Sequence, residues 1–150
     1  MMKSLIIYET LSGNTEEVGE LIQQELNSYS VQSKLINIRN DVDLKEIKES
    51  DFIFLGSYTW GDGELPDRMR SFLRKVIKEE KLRLPPFSVF GTGDTDFHFY
   101  CRAVDEMVYH LGKVTTVYKI LKNEQAPRSK YQKQRIENFV KETLEELINE

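Results

Sequence analysis

The sequence predicts an α/β fold: a doubly wound, five-stranded parallel sheet of order 2-1-3-4-5 with helices on both faces. Two observations predict it. Apolar runs of strand length alternate five times with stretches whose apolar residues recur at helical spacing. Chains patterned this way form parallel sheets closed by right-handed crossovers. The clearest runs, Leu5-Ile6-Ile7-Tyr8 and Phe52-Ile53-Phe54-Leu55, are continuous rather than alternating, as strands covered on both faces require.

The first strand spans Lys3 to Glu9. From Asn14 the period turns helical, with Val18, Leu21, Ile22, Leu26 and Tyr29 on one stripe and Asn14 with Glu17 as a capping pair. Val31 to Ile38 alternates as the second strand. A short helix follows, capped by Asp43 with Glu46 reaching back, and buries Leu44 and Ile47. The third strand is Phe52 to Leu55. Pro66 suits the first turn of a helix that continues through Met69, Phe72, Leu73, Val76 and Ile77. Pro85-Pro86 ends that connection, and Phe87-Ser88-Val89-Phe90 is the fourth strand. A helix marked by Cys101, Val104, Val108 and Leu111 stops at Gly112. Val114 to Leu121 is the fifth strand, and Ile136 to Ile148 gives the clearest helical stripe of all.

The 150 residues suit one domain, 1–150, with one real core. With 25 acidic and 21 basic side chains the formal charge is -4, which argues against general nucleic-acid binding. No apolar run is long enough to span a bilayer, and the N-terminus does not read as a signal peptide. The single cysteine, Cys101, cannot form an internal disulfide, which fits a reducing, cytoplasmic setting.

In this fold class ligands bind at the carboxyl ends of the strands, beside the switch between strands 1 and 3. The loop after strand 1, Thr10-Leu11-Ser12-Gly13-Asn14-Thr15, offers hydroxyls, a carboxamide and backbone N–H groups at a helix N-terminus. These suit an anion. The same residues also suit simple helix capping. The loop lacks both the GxxxxGK[ST] and GxGxxG patterns, so it is neither a nucleoside-triphosphate loop nor a dinucleotide fingerprint. After strand 3 comes Ser57-Tyr58-Thr59-Trp60-Gly61-Asp62-Gly63-Glu64-Leu65-Pro66, which holds the only Trp of the chain. Trp60 there is either a plug at the sheet end or a stacking platform, and its place on the ligand edge favours the platform. After strand 4 comes Gly91-Thr92-Gly93-Asp94-Thr95-Asp96-Phe97-His98-Phe99-Tyr100-Cys101.

Together the three loops resemble those of flavodoxins, in order and along the whole chain: T/S-x-T/S-G-N-T, then T-W-G-D/E-G-x-x-P, then G-x-G-D-x-x-Y-x-x-F/Y-C. Phe97 stands where the family usually has Tyr. The absence of an insertion in strand 5 resembles the short-chain class. The resemblance implies bound FMN and a low-potential one-electron carrier rather than an enzyme. Residues 10–15 and the Thr59 hydroxyl would hold the phosphate, and Trp60 and Phe97 would cover the two ring faces. Backbone groups of Asp94, Phe99 and Cys101 would meet the pyrimidine edge. Tyr58, Gly63, Thr92 and Gly93 lie in the same flavin-contacting loops. The Gly61 carbonyl would turn towards flavin N5 and favour the neutral semiquinone. Asp62, Glu64, Asp94 and Asp96 would disfavour the anionic, fully reduced ring. Implied partners are an NAD(P)H-dependent flavodoxin reductase and electron-accepting enzymes, met by a monomer in transient complexes.

His98 and His110 lack metal-ligand spacing, and no metal site is expected. The basic run Arg68, Arg70, Arg74, Lys75 and Lys78 reads equally as a solvated helix face or a partner-facing strip. A flavodoxin-like activator of ribonucleotide reductase is disfavoured by Trp60-Gly61-Asp62-Gly63-Glu64, and an FMN-dependent quinone or nitro reductase by chain length. A phosphorylated response regulator would need an acidic pair after strand 1 and an Asp ending strand 3. This chain has Glu9-Thr10 and Ser57-Tyr58-Thr59 there.

Overall fold

In the computed structural model, which describes residues 2–78, 83–96 and 98–149, strands and helices alternate along the chain. They are β1 (Lys3–Glu9), α1 (Asn14–Ser28), β2 (Gln32–Asn37), α2 (Leu44–Glu49), β3 (Phe52–Tyr58), α3 (Asp67–Lys78), β4 (Phe87–Gly93), α4 (Arg102–Leu111), β5 (Val117–Glu124) and α5 (Lys130–Ile148). The strands form one parallel sheet of order β2-β1-β3-β4-β5, the expected doubly wound arrangement. Register runs Ile6 to Phe54 and Ile7 to Leu55 across β1 and β3, then Leu55 to Val89 across β3 and β4.

Each sheet face has its own core. On one side α1 and α5 deliver Val18, Ile22, Leu26, Ile136, Phe139 and Val140 onto Ile6, Phe52, Phe54 and Phe90. On the other, α2, α3 and α4 deliver Ile47, Met69, Leu73, Val76, Val104 and Met107 onto Ile7, Ile53, Leu55 and Val89. Neighbouring strand residues thus feed opposite cores, and the continuous apolar runs leave the carboxyl edge of the sheet to polar loops.

Local details depart from the sequence expectations. The fifth strand starts at Val117 rather than Val114, because the N–H groups of Val114 and Thr115 donate to Leu111 O (3.0 and 2.9 Å) and extend the end of α4. Asn14 and Glu17 do not cap α1; Gly13 is the cap residue and Glu17 N–H donates to its carbonyl. Asp43 caps α2 by accepting from Lys45 N–H (2.9 Å), but Glu46 reaches out to Lys34 (3.2 Å). Pro66 sits just before α3, its carbonyl accepting from Arg70 N–H (2.9 Å). Tyr29 and Ile148, placed on apolar stripes by spacing, are exposed at helix ends.

Candidate cofactor site

Three loops meet at the carboxyl edge beside β1 and β3, and each is held differently. In the first, Gly13 N–H donates to Thr10 Oγ1 (2.9 Å) and Gly13 takes φ +97°, a conformation glycine adopts freely. This turn starts α1 at Asn14. The N–H groups of the first helical turn have no acceptor within the helix and point out of its positive end. Ser12 is exposed and Asn14 half-buried beside them. Thr15 has a second role in the fold. Its hydroxyl is buried and lies 2.7 Å from the equally buried hydroxyl of Thr92 on β4. One hydroxyl donates to the other, which fastens the helix start to the sheet and leaves the second O–H proton uncommitted by this pair.

The second loop is a tight hairpin. Trp60 N–H donates to Glu64 O (2.8 Å), and Trp60 O accepts from Glu64 N–H (2.7 Å) and Gly63 N–H (3.1 Å). Gly63 has φ +96°, and a Cβ there would lie 2.5 Å from Phe99 Cβ, so this loop rests on the third one through a bare glycine. Trp60 projects from the hairpin, 52% exposed, with the Tyr58 ring edge-on at 6.3 Å. Thr59 Oγ1 accepts from Ala103 N–H (3.1 Å) at the start of α4. Only its proton remains for the phosphate role expected of it. Gly61, at φ +50°, faces open space.

In the third loop Asp94 accepts from Asp96 N–H (2.9 Å) and from Gln125 Nε2 (3.3 Å), and Gly93 O accepts from Gln125 N–H (2.8 Å). Cys101 is fully buried at the start of α4, and burial pushes its thiol up to about 11. A thiol held protonated in this way is a packing group. Burial also raises the neighbouring Tyr100 phenol above its ordinary range. Phe97, expected on the second ring face, lies outside the described residues. Phe99 is described: 37% exposed, with His98 edge-on at 5.2 Å and the Arg102 guanidinium 5.1 Å from its ring centre.

Between the loops lies a cleft of about 490 Å³, a size typical of small-molecule sites. Of the residues expected at the site, Leu11, Thr59, Trp60, Gly61, Asp62, Gly93, Asp94, Phe99 and Cys101 line it. Ser12, Gly13 and Asn14 form the adjoining helix end, Tyr58 contacts Trp60, and Gly63 packs under Phe99. His98 and Tyr100 also line the cleft, Tyr100 without any sequence signal beyond its place in the loop. Sequence reasoning also missed Glu9. This buried carboxylate at the end of β1 accepts from Met69 N–H (3.1 Å) in the first turn of α3. Burial pushes the Glu9 carboxyl above its usual pKa, opposed by that hydrogen bond and by the positive charges of Arg68 and Arg39.

The cleft fits FMN on two counts. Leu11, Trp60 and Phe99, three of the large apolar side chains the protein leaves exposed, converge on it, which suits a flat apolar ring. The open N–H groups at the start of α1 suit a phosphate monoester. Among the described residues no cluster suited to a metal ion occurs, and no helix is long and apolar enough to cross a membrane.

Comparison with known proteins agrees. The flavodoxin family model matches residues 6–139. The chain is 36% identical over 105 residues to "Probable flavodoxin 1" of Bacillus subtilis, a match covering 70% of this chain and 65% of that protein. It is 32% identical over 120 residues to a Maridesulfovibrio salexigens flavodoxin, covering 78% and 81%. Among solved structures, oxidised flavodoxin 2 from Bacillus cereus superimposes with a TM-score of 0.87 at 34% identity, over 96% of this chain and 99% of that one. The chain belongs to the flavodoxin family, whose members bind FMN and carry electrons.

Proposed function

We propose that the chain is a low-potential one-electron carrier, one domain over residues 1–150, holding a single FMN noncovalently in this cleft. As a cytoplasmic monomer it would exchange electrons with an NAD(P)H-dependent flavodoxin reductase and with electron-accepting enzymes in transient complexes. The observation that carries the reading is the convergence of exposed Leu11, Trp60 and Phe99 around a cleft beside a helix N-terminus.

Bound FMN supplies one-electron redox chemistry; the residues determine how readily the cleft accepts charge. Ser12 and the N–H groups of Asn14 and Thr15 bind the phosphate through dipoles, with no cation in the loop to exchange for it. Trp60 and Phe99, which line the cleft, would exclude water from a bound flavin. Asp62 and Asp94 line the cleft and Asp96 lies close by, so added negative charge meets like charge in a poorly solvated place. That lowers the potential of the second electron. Gly61 lets its peptide plane turn within the hairpin without a side chain to move.

Anaerobic titration of the FMN-loaded protein with a reductant tests the reading. Two separate one-electron steps, the second at much lower potential, are expected. A colourless protein that rejects added FMN would sink the reading. Steady oxidation of NAD(P)H by a quinone with this protein alone would turn it into an enzyme.

A further inference from the structure

Helix α3 carries five basic side chains and one acidic one in its 12 residues, in a chain whose net charge is -4. Helix α1, on the opposite face, carries four Glu residues and no cation. Among the described residues Arg70 is the α3 cation held in ion pairs, with Glu106 of α4 (3.5 Å) and Asp67 (3.9 Å), while the Arg68 charge acts on the buried Glu9 carboxylate. Arg68, Arg74, Lys75 and Lys78 have no ion-pair partner among the described residues. Helical spacing groups them around Ser71 on the face turned away from buried Met69, Leu73 and Val76. Arg70 with Arg74, and Arg74 with Lys78, stand four residues apart, an arrangement of like charges that weakens a helix. Among the described residues these like charges stand side by side in a strip along α3.

The strip's position gives it a use. Twelve residues of helix extend about 18 Å, and this helix begins directly after the Trp60–Leu65 hairpin that borders the cleft. Beside it a groove of about 310 Å³ is lined by Leu65, Leu73 and Ile77 together with Arg70, Arg74, His110 and Glu106, the last already paired with Arg70. A one-helix-wide row of cations flanking an apolar groove matches a compact protein surface. An extended polyanion such as a nucleic acid would leave the apolar lining of Leu65, Leu73 and Ile77 unused.

We propose that the α3 strip docks an acidic redox protein, so that this carrier meets such partners through a positive face beside its cleft despite its negative net charge. The proposal rests on reading the chain as an FMN electron carrier. When the partner sits along α3, one electron leaves the reduced protein and reduces the partner's own redox centre by one electron.

The test uses the FMN-loaded protein and two probes, an acidic soluble b-type cytochrome and a basic c-type cytochrome, followed by stopped-flow. With the acidic probe the rate should fall as salt is raised. The variant R68E/R74E/K75E/K78E should cut that rate by about tenfold or more at low salt, within the span of electrostatic steering. The basic probe should be reduced by the variant at least as fast as by the parent. The milder Arg74→Gln/Lys78→Gln pair covers the case of a misfolded quadruple variant and should give a smaller loss of the same sign. Amide shifts in the oxidised protein mixed with the acidic probe should map to α3 rather than to residues 94–101. An acidic-probe rate unchanged by both variants, or one that rises with salt, overturns the proposal. So does salt-sensitive capture of duplex DNA or phosphatidylserine vesicles by α3 with the haem rates unaffected. Failure to reduce either cytochrome would instead defeat the electron-carrier reading.

Discussion

The loops after β1 and β3 both border the cleft, but they hold their shapes by opposite means. The first is fixed from below: Gly13 turns on Thr10, and the start of α1 is fastened through the buried Thr15–Thr92 hydroxyl pair. What it presents is backbone. The second closes on itself through Trp60 and Glu64 and presents one large exposed side chain. Substitutions should therefore separate cleanly. Changes beneath the first loop should cost stability together with cofactor affinity, whereas loss of Trp60 should cost affinity alone.

The strongest way to break this contrast is at the one point where the second loop does depend on packing. Gly63→Ala puts a methyl group 2.5 Å from Phe99 Cβ at a positive φ. Overpacking and left-handed strain together should cost about 3 kcal/mol, read by urea unfolding of the FMN-free protein. A loss under 1 kcal/mol would show that the two loops are not seated on each other.

Alkaline pH examines the end of the third loop, where Cys101 starts α4. The buried Cys101 thiol keeps its proton up to about 11, above its ordinary value of 9.0. The unfolded thiol ionises first, so stability is full below pH 9 and falls by about 2–3 kcal/mol as pH rises through 11. Cys101→Ala should remove that fall and leave the separate one from Tyr100, whose phenol is also raised by burial. An identical alkaline slope in the variant would contradict the burial argument.

Thr15→Val should cost about 1–3 kcal/mol, because Thr92 keeps a buried hydroxyl without its partner. Restoring apolar symmetry in Thr15→Val/Thr92→Val should recover part of the loss. Additive costs in this double-mutant cycle would mean that the two hydroxyls act independently. The smallest stability effect belongs to Trp60→Ala, within about 0.5 kcal/mol as at other exposed positions. That variant should nevertheless bind FMN about tenfold or more weakly, from lost ring burial and stacking.

The same contrast explains what the sequence disclosed. Strand order and the two cores follow from runs such as Phe52-Ile53-Phe54-Leu55, where every residue is apolar and no other period competes. Trp60 was legible because a large aromatic between Thr59 and Gly61 has few uses other than contact. The hidden features are those in which one residue type serves two ends. A hydroxyl in Thr15 or Thr59 can face a ligand or satisfy the fold. Its choice depends on Thr92 and Ala103, which lie 77 and 44 residues away. Glu9 escaped for the same reason, since its partner Met69 N–H belongs to a helix that begins far along the chain. The start of β5 was misplaced because Val114 is β-branched, yet its N–H is taken by the end of α4.

The single Trp of the chain makes the central claim directly measurable. Trp60 alone accounts for the tryptophan emission of the FMN-free protein. Titration with FMN should quench that emission in proportion to added cofactor and reach its end point at one FMN per chain. Emission that stays unchanged while FMN binds would place the flavin elsewhere and contradict the account.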